Sequence, residues 1–547
     1  MTVSSGGLGR RGEGGALRSR LVGLVLAGAF AVLAGRAGML AVQGGETLSG
    51  DSGAVKAVRR ADIVDRNGEL LATSVDVYSL YADPRAVWDP LETVDALADV
   101  IPDLDRDLVL ARLSDRARRF EWIKRGLTPR QRQAVFNLGL EGLHFETERA
   151  RAYPKGALAG HVLGATNIDG AGVAGVEYAQ DDWLAAGDGP LRLTIDSGVQ
   201  FALEAELETA AVEHDTLGAA GIVLDAETGA VRALASWPPV DPNRWAAHKA
   251  AARLDRAVGA PYDLGSVFKP FTVAAGLEMG AISGGQTFDL TTPVIVNGKE
   301  FEEHGELRRR ATLADIIADS SNRGTVLIAQ QIGADDLRAF LDDLGLLDRS
   351  PIELSASAAP LLPREWDELT LATTSFGHGM AVSPIAFAGA FSAFANNGVV
   401  VEPTLIEAVA RRPRPPQRVM TPSTTAFVVD MMRETVLRGT GAGADAVGFR
   451  VAGKTGTAEK VVDGVYDEDR NVTSFAAVFP ADDPKFVVFL LLDEPQARDG
   501  RGATAASNAA PAVGRVIERI APQLGVAPVL EDVARAGPDQ DAQRRSL

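Results

Sequence analysis

Apolar positions in the first 42 residues run together instead of alternating. Arg10, Arg11, Arg18 and Arg20 come first, then an unbroken apolar stretch from Leu21 to Gly35, and Arg36 is the one charge before Val42. A helix over residues 21–42 would reach about 33 Å at ~1.5 Å per residue, enough to cross the hydrocarbon core of a bilayer. The basic flank precedes it, so the pattern predicts one anchor, with residues 1–20 in the cytoplasm and the bulk of the chain exported. Arg36 would snorkel or lie against a partner helix. A cleaved signal peptide is the competing reading, with Ala29-Phe30-Ala31 as a passable cleavage site.

Beyond the anchor the pattern breaks into shorter periods. Ile63-Val64, the turn Asp65-Arg66-Asn67-Gly68 and Leu70-Leu71-Ala72 read as strand, turn, strand. Gly187-Asp188-Gly189-Pro190 breaks the chain, and Val199, Leu203, Leu207 and Ala211 then recur every fourth residue, as on one helix face. Ala219–Leu224 and Val231–Ala235 read as two strands about Glu227-Thr228-Gly229. Ser474–Phe479 and Lys485–Leu492 form a second strand pair, and its run Phe486–Leu492 is short and β-prone enough to be a buried strand. An Ala-rich helix is expected over residues 503–520, and the polar composition after Gly525 predicts a flexible tail. The predicted organisation is therefore a cytoplasmic tail (1–20), an anchor (21–42), a mixed first domain (43–190), a second domain (191–525) and a tail (526–547).

Composition narrows the chemistry. The chain has 547 residues, 46% hydrophobic and 23% charged, which excludes a mainly disordered protein. It has no cysteine, so disulfides, iron–sulfur clusters, thiolate zinc sites and a cysteine nucleophile are excluded. Its 55 Lys and Arg against 73 Asp and Glu leave a net charge of −18, which repels nucleic acid. The six histidines, His144, His161, His214, His248, His304 and His378, fall at no metal-ligand spacing.

Three short motifs in the second domain carry the candidate chemistry. In Ser266-Val267-Phe268-Lys269 a helix opening near Gly265 would set Ser266 and Lys269 at i and i+3 on one face. The helix N-terminus favours a developing alkoxide at Ser266, and a neutral Lys269 amine could take the hydroxyl proton. Ser320-Ser321-Asn322 follows the apolar segment Leu313–Ala318, and by itself reads equally as a loop or helix cap. Lys454-Thr455-Gly456-Thr457 follows Val451-Ala452-Gly453 and reads as a strand that a substrate backbone could approach closely, or as a plain edge strand. Each motif alone is cheap. The ordered set Ser-x-x-Lys, Ser-x-Asn, Lys-Thr-Gly is the signature of penicillin-binding proteins and class A β-lactamases.

The chain resembles a class B, monofunctional penicillin-binding protein, most closely the division-specific peptidoglycan D,D-transpeptidase. The likeness extends to Asp65-Arg66-Asn67-Gly68, Arg151-Ala152-Tyr153-Pro154, His161-Val162-Leu163-Gly164, Gly175-Val176-Glu177, Leu193-Thr194-Ile195-Asp196 with Gln200, Asp241-Pro242-Asn243, Ser375-Phe376-Gly377-His378-Gly379 and Phe479-Pro480-Ala481-Asp482-Asp483-Pro484. Four positions depart from the family pattern: Asp263, Leu264 and Val267 where Glu, Pro and Thr are common, and Arg323 where an apolar residue is common.

The resemblance implies an α+β fold. A transpeptidase domain, built of an antiparallel sheet flanked by helices and an all-helical subdomain, would stand on an elongated mixed α/β pedestal with one N-terminal transmembrane helix. It implies Ser266 as acylated nucleophile, Lys269 as its base, kept neutral by burial and by a second cation, and Lys454 as that cation. Ser320 and Asn322 would complete the proton network. Thr455, Gly456 and Thr457 would bind substrate, with the N–H groups of Ser266 and Thr457 as oxyanion hole. No metal or organic cofactor is implied. The implied partners are stem peptides ending in D-Ala-D-Ala, β-lactams, the membrane, and a membrane glycosyltransferase with other cell-wall proteins bound through anchor and pedestal. The implied location is the cytoplasmic membrane at the division site, with the catalytic domain outside. The alternatives are an elongation-specific transpeptidase, a D,D-carboxypeptidase, a β-lactamase, a β-lactam sensor and a non-catalytic scaffold. The pedestal and anchor oppose a β-lactamase, the single span opposes a sensor, and the intact motifs oppose a scaffold. His378 is expected to be a turn histidine and not a base.

Overall fold

A fifteen-residue strand and an eight-residue one, apolar up to its final Asp493, dominate the second half of the chain, and the sheet they build positions everything else. The structure is a computed structural model that describes residues 59–303, 305–407, 416–462, 465–497 and 503–532. The expected anchor, 21–42, lies outside these residues. Among the described residues, no helix is long and apolar enough to cross a membrane.

The first part is a mixed α/β domain. Strand β1 (Ile63–Val64) turns through Asp65–Gly68 into the long β2 (Leu70–Ala82). Strand β2 pairs antiparallel with β3 (Glu121–Leu127) and with β4 (Leu143–Ala152), from Thr73 opposite Ala152 to Ala82 opposite Leu143. Helices α1 (Pro90–Val100), α2 (Arg106–Ser114) and α3 (Pro129–Asn137) pack with the outer half of this sheet, burying Leu80, Val94, Leu97, Val109, Leu113, Ile123 and Val135. The chain returns at β5 (Leu191–Arg192), which lies parallel to β1.

The turn Asp65–Gly68 is the clasp between the two parts. Asp65 Oδ1 accepts from Asn67 N (2.8 Å) and Glu69 N (2.8 Å), and its Oδ2 accepts from Ser197 N (3.1 Å). Asn67 donates to Asp196 Oδ2 at 3.0 Å. Beside it, Glu177 is fully buried between Arg60 and Arg151, at 2.7 and 2.6 Å. One apolar core runs through the junction. Ile63, Leu71, Val162, Leu163 and Val176 belong to the same cluster as Leu193, Ile195, Ile222 and Phe271.

The second part centres on an antiparallel five-stranded sheet. Its order is β10 (Ala452–Val462), β11 (Val465–Phe479), β12 (Phe486–Asp493), β6 (Gly218–Asp225) and β7 (Val231–Trp237). Both strand pairs fall where the apolar runs predict them. Strand β12 alternates as a period of two requires. Val488, Leu490 and Leu492 face α4 (Ser197–Glu213) and α11 (Ala509–Ile520), whereas Val487, Phe489 and Leu491 face α9 (Pro384–Ala395). A sheet covered on both faces explains why the run lacks polar positions.

Helix α11 starts six residues later than expected, because Asn508 caps it by accepting from Ala509 N. The expected tail is held at its start: Val529 N donates to Gly448 O (2.8 Å), and Asp532 pairs with Arg450 (2.7 Å). A helical layer stands beyond the sheet edge. It contains α5 (Lys269–Glu278), α6 (Leu313–Ala318), α7 (Asn322–Ile332), α8 (Ala334–Asp343) and α10 (Pro422–Arg438), which pack on one another. The hairpin β8 (Val294–Val296) and β9 (Lys299–Phe301) lies against it.

Candidate active site

The site forms where edge strand β10 meets the helical layer. Gly265 opens it with φ +61, a backbone region that L side chains adopt only at a cost, and donates its N–H to Gly377 O at 3.0 Å. Residues Gly265–Phe268 make a single 3-10 turn carrying Ser266, and α5 proper begins at Lys269. Pro270 therefore sits in the first helical turn, where its missing N–H would have had no partner anyway. Phe268 and Phe271 anchor the turn, with ring centroids 5.5 and 5.7 Å from that of Phe387. Lys269, one turn on, is fully buried.

The second motif is a tight bend between α6 and α7. Ser320 has φ +61, unusual for a residue with a Cβ and costing on the order of 1–3 kcal/mol. Ser321 is the N-cap of α7, accepting from Gly324 N at 2.9 Å. The bend turns the Ser320 hydroxyl and carbonyl and the Asn322 amide oxygen toward Lys269. Lys269 Nζ donates to Ser320 O and to Asn322 Oδ1 (2.8 Å), and lies 3.1 Å from Ser320 Oγ.

The third motif enters from the sheet. Lys454 on β10 is fully buried, and its Nζ lies 2.9 Å from Ser320 Oγ, 3.1 Å from Thr455 O and 3.2 Å from Thr455 Oγ1. Thr455 Oγ1 also meets Thr440 Oγ1 at 2.7 Å. Gly456 is needed because a Cβ there would fall 2.4 Å from Leu264 O, on the turn that carries Ser266. Thr457 is exposed on the cleft, and its Oγ1 accepts from Ala505 N at 3.3 Å.

Lysines 51 and 134 positions away thus converge on one hydroxyl, Ser320 Oγ. The two ammonium nitrogens can be no more than about 6 Å apart, which at an effective dielectric of ~20 is a repulsion of about 3 kcal/mol if both are charged. Burial depresses the basicity of Lys269 to about 7, opposed by the negative charge of Glu303. Lys454 is also pushed down, by burial first and by Lys269 second. Of the two expected causes, burial is the main one at Lys269, and the repulsion between the two lysines is expressed at Lys454.

The donor count agrees. A neutral Lys269 amine has two N–H groups for Ser320 O and Asn322 Oδ1, and a lone pair to spare. Lys454 Nζ, likewise depressed by burial, faces three oxygens.

Among the described residues, Ser266 Oγ has no hydrogen-bond partner; the half-buried hydroxyl and Lys269 are a helical turn apart without being bonded to each other. His378 is lowered to about 4 by burial and by the charge of Lys269. A base that weak is neutral at pH 7 and a poor proton acceptor. Tyr466, from the overhanging end of β11, donates to Asp263 Oδ2 (3.0 Å) and accepts from Gly379 N (3.1 Å), bridging the turn before Ser266 to the Gly377–Gly379 loop. Glu303, Thr440 and Tyr466 belong to the site and carry no motif.

Comparison with known proteins agrees with this geometry. Residues 219–518 match the penicillin binding protein transpeptidase domain, and residues 55–209 match the penicillin-binding protein dimerisation domain. The chain is 41% identical over 537 residues to "Probable peptidoglycan D,D-transpeptidase FtsI" of Caulobacter vibrioides, covering 95% of this chain and 89% of that one. It is 32% identical to "Probable peptidoglycan D,D-transpeptidase PenA" of Neisseria meningitidis serogroup A, covering 82% of each. Penicillin-binding protein 3 of Mycobacterium tuberculosis, solved in complex with ampicillin, superposes with a TM-score of 0.67 at 25% identity over 86% of this chain and 96% of that one. A pedestal clasped by Asp65–Gly68, a serine on a 3-10 turn and two buried lysines sharing a hydroxyl thus accompany matches along almost the whole chain: the protein belongs to the penicillin-binding protein transpeptidase family.

Proposed function

We propose that the chain is a class B peptidoglycan D,D-transpeptidase of the septal, cell-division branch, working through a serine acyl-enzyme. The observation that carries the chemistry is the pair of buried lysines on Ser320 Oγ. In this reading Ser266 Oγ attacks the carbonyl carbon of the penultimate D-Ala, and its proton passes to the lone pair of Lys269. The tetrahedral oxyanion is held by the N–H groups of Ser266 and Thr457. The C–N bond breaks, and the proton reaches the leaving D-Ala amine through Ser320 Oγ. An amine of a second stem peptide then attacks the ester, returns its proton to the Ser266 oxygen by the same route, and forms the cross-link. Lys454 with Thr455 and Thr457 receives the terminal carboxylate, and Gly456 lets strand and turn close on it. Asn322 holds the peptide amide. β-Lactams acylate the same serine.

The septal assignment rests on the extent of the match to the FtsI of Caulobacter vibrioides. The domain limits proposed are a tail to residue 20, an anchor over 21–42, a pedestal over 43–190, the transpeptidase over 191–525 and a tail over 526–547. With them goes a place in the cytoplasmic membrane, catalytic domain outside, beside a membrane glycosyltransferase.

The test is the full chain in detergent or bilayer with nascent glycan strands bearing pentapeptide stems. Cross-linked dimers formed in step with D-Ala release are expected. D-Ala release without cross-links would instead identify a carboxypeptidase. Failure of a fluorescent penicillin to bind covalently would favour the scaffold.

A further inference from the structure

Glu303 lies in the polar run Glu302–Glu306, outside every motif, yet its carboxylate is bound on both oxygens. Ser321 Oγ donates to Oε2, Arg323 N donates to the same oxygen at 3.3 Å, and Gly305 N donates to Oε1 at 3.2 Å. The Ser321 hydroxyl passes the contact on by accepting from Gly324 N. The carboxylate thus caps α7 through Ser321 and directly, where the helix N-terminus favours negative charge.

Arg323 closes the bracket from the other side. Its buried guanidinium donates to Phe301 O (2.9 Å), Leu290 O (3.2 Å) and Glu300 Oε1 (3.1 Å). The hairpin β8–β9 is thereby tied to α7, and Glu303 leaves that hairpin two residues after Phe301. Arg323 is one of the departures from the family pattern, and this grip gives it a purpose. Between the bracket and the two lysines sits Ser320, whose left-handed backbone persists only if its surroundings hold it.

We infer that Glu303 is a positioning residue of the catalytic centre, which fixes the Ser320–Asn322 bend through α7 and sets the proton balance of the lysine pair. The inference rests on the transpeptidase reading above. The charged and titratable groups around the pair are few. Lys269 projects from α5, Lys454 from β10 and Glu303 from the segment after β9. His378, in the loop after Thr374, feels both Lys269 and Lys299 of β9 and is uncharged at neutral pH. Glu303 is the carboxylate whose charge acts on Lys269, and it holds the lysine's affinity for a proton up against burial. Two buried amines with no counter-charge would make Lys269 too weak a base to accept the proton of a serine hydroxyl.

Glu303→Gln tests this, because it keeps an acceptor oxygen and nearly the same volume while removing the charge. The readout is the pH dependence of the second-order rate of acylation by a fluorescent penicillin, with the melting temperature as control. The rate of the native protein should rise with pH through about 7 as Lys269 loses its proton. In Glu303→Gln the rise should move about one unit to lower pH. At pH 6 the variant should then reach about half of its own plateau where the native protein reaches about a tenth. Glu303→Asp keeps the charge but shortens the reach, so its rise should stay in place while its plateau falls several-fold. An unmoved rise in folded Glu303→Gln would overturn the inference. So would an unchanged plateau in Glu303→Asp, which is the deciding variant if Glu303→Gln does not fold. If the native protein is not acylated at all, the transpeptidase reading fails instead.

Discussion

Gly456→Ala is the substitution whose cost can be worked most directly from the geometry. Its added Cβ would lie 2.4 Å from Leu264 O, 2.5 Å from Ser474 Oγ and 3.0 Å from Val267 Cγ1. The Leu264 oxygen is backbone and cannot rotate away. Restoring ordinary van der Waals separation needs a shift of about 1 Å between β10 and the turn that carries Ser266. Overpacking of this kind costs about 1–3 kcal/mol of stability, which a domain with several bonded strands can absorb. The effect on chemistry should be larger, since a displacement of about 1 Å between reacting groups costs on the order of 100-fold in rate. The assay is stopped-flow acylation by a fluorescent penicillin beside a thermal melt. Gly285→Ala serves as control, because a Cβ there meets nothing within 4 Å. A folded Gly456→Ala protein acylated within about threefold of the native rate would refute the claim that this contact sets the distance between strand and serine.

Ser266→Ala should abolish covalent penicillin labelling without unfolding the protein, and mass spectrometry of the native adduct should place it on the peptide containing Ser266; an adduct on Ser320 or Ser321 would overturn the assignment. His378→Gln should leave acylation within about tenfold and its pH dependence between 5 and 8 unchanged, because a histidine lowered to about 4 does not titrate there. Lys269 should make labelling fall as pH drops below about 7, since the protonated amine cannot accept the serine proton. The same shift has a stability sign: from about pH 7 up to the ordinary lysine value of 10.5 the unfolded chain holds a proton that the native one lacks, so this residue's contribution favours folding increasingly as pH rises through that window. Urea melts of the native protein and Lys269→Met across that range would show the difference, and equal slopes would refute it.

Much of this architecture was legible because its causes are local. The strands at 219–224, 231–235 and 486–492 are apolar runs of the length a covered sheet requires, and the period of four from Val199 marks α4. The three motifs were legible as a set, and from it Lys269, Ser320, Asn322, Lys454 and Thr455 meet. What escaped depends on contacts that no local pattern records. Nothing in Glu302–Glu306 distinguishes the one carboxylate that turns inward. Arg323 stands out in the sequence only as a departure from the family pattern, and the carbonyls of Phe301 and Leu290 that hold it are visible only in the fold. The sign of φ at Ser320 has no sequence signature, because serine is not the residue that usually takes it. Burial was one of the two expected reasons for a neutral Lys269 and proves the larger, but its completeness at one side chain is a property of the finished fold.

The single apolar core that joins Ile63, Leu71, Val162 and Val176 to Leu193, Ile195 and Phe271 bears on what counts as a domain in this protein. Sequence recurrence divides the chain between residues 209 and 219, and that line records ancestry. Thermodynamically there is no seam at that place. A chain cut there would leave α4 behind, strip one face of the sheet and wet Val199, Leu203 and Leu207. A chain cut at 191 would uncover Leu193 and Ile195 and take away Asp65, the acceptor for the first turn of α4. The inner pedestal and the sheet therefore share one core, while the outer pedestal keeps its own around Leu80, Val94 and Leu97, and a load applied to the inner part reaches the turn bearing Ser266 through close-packed side chains instead of being lost in a hinge.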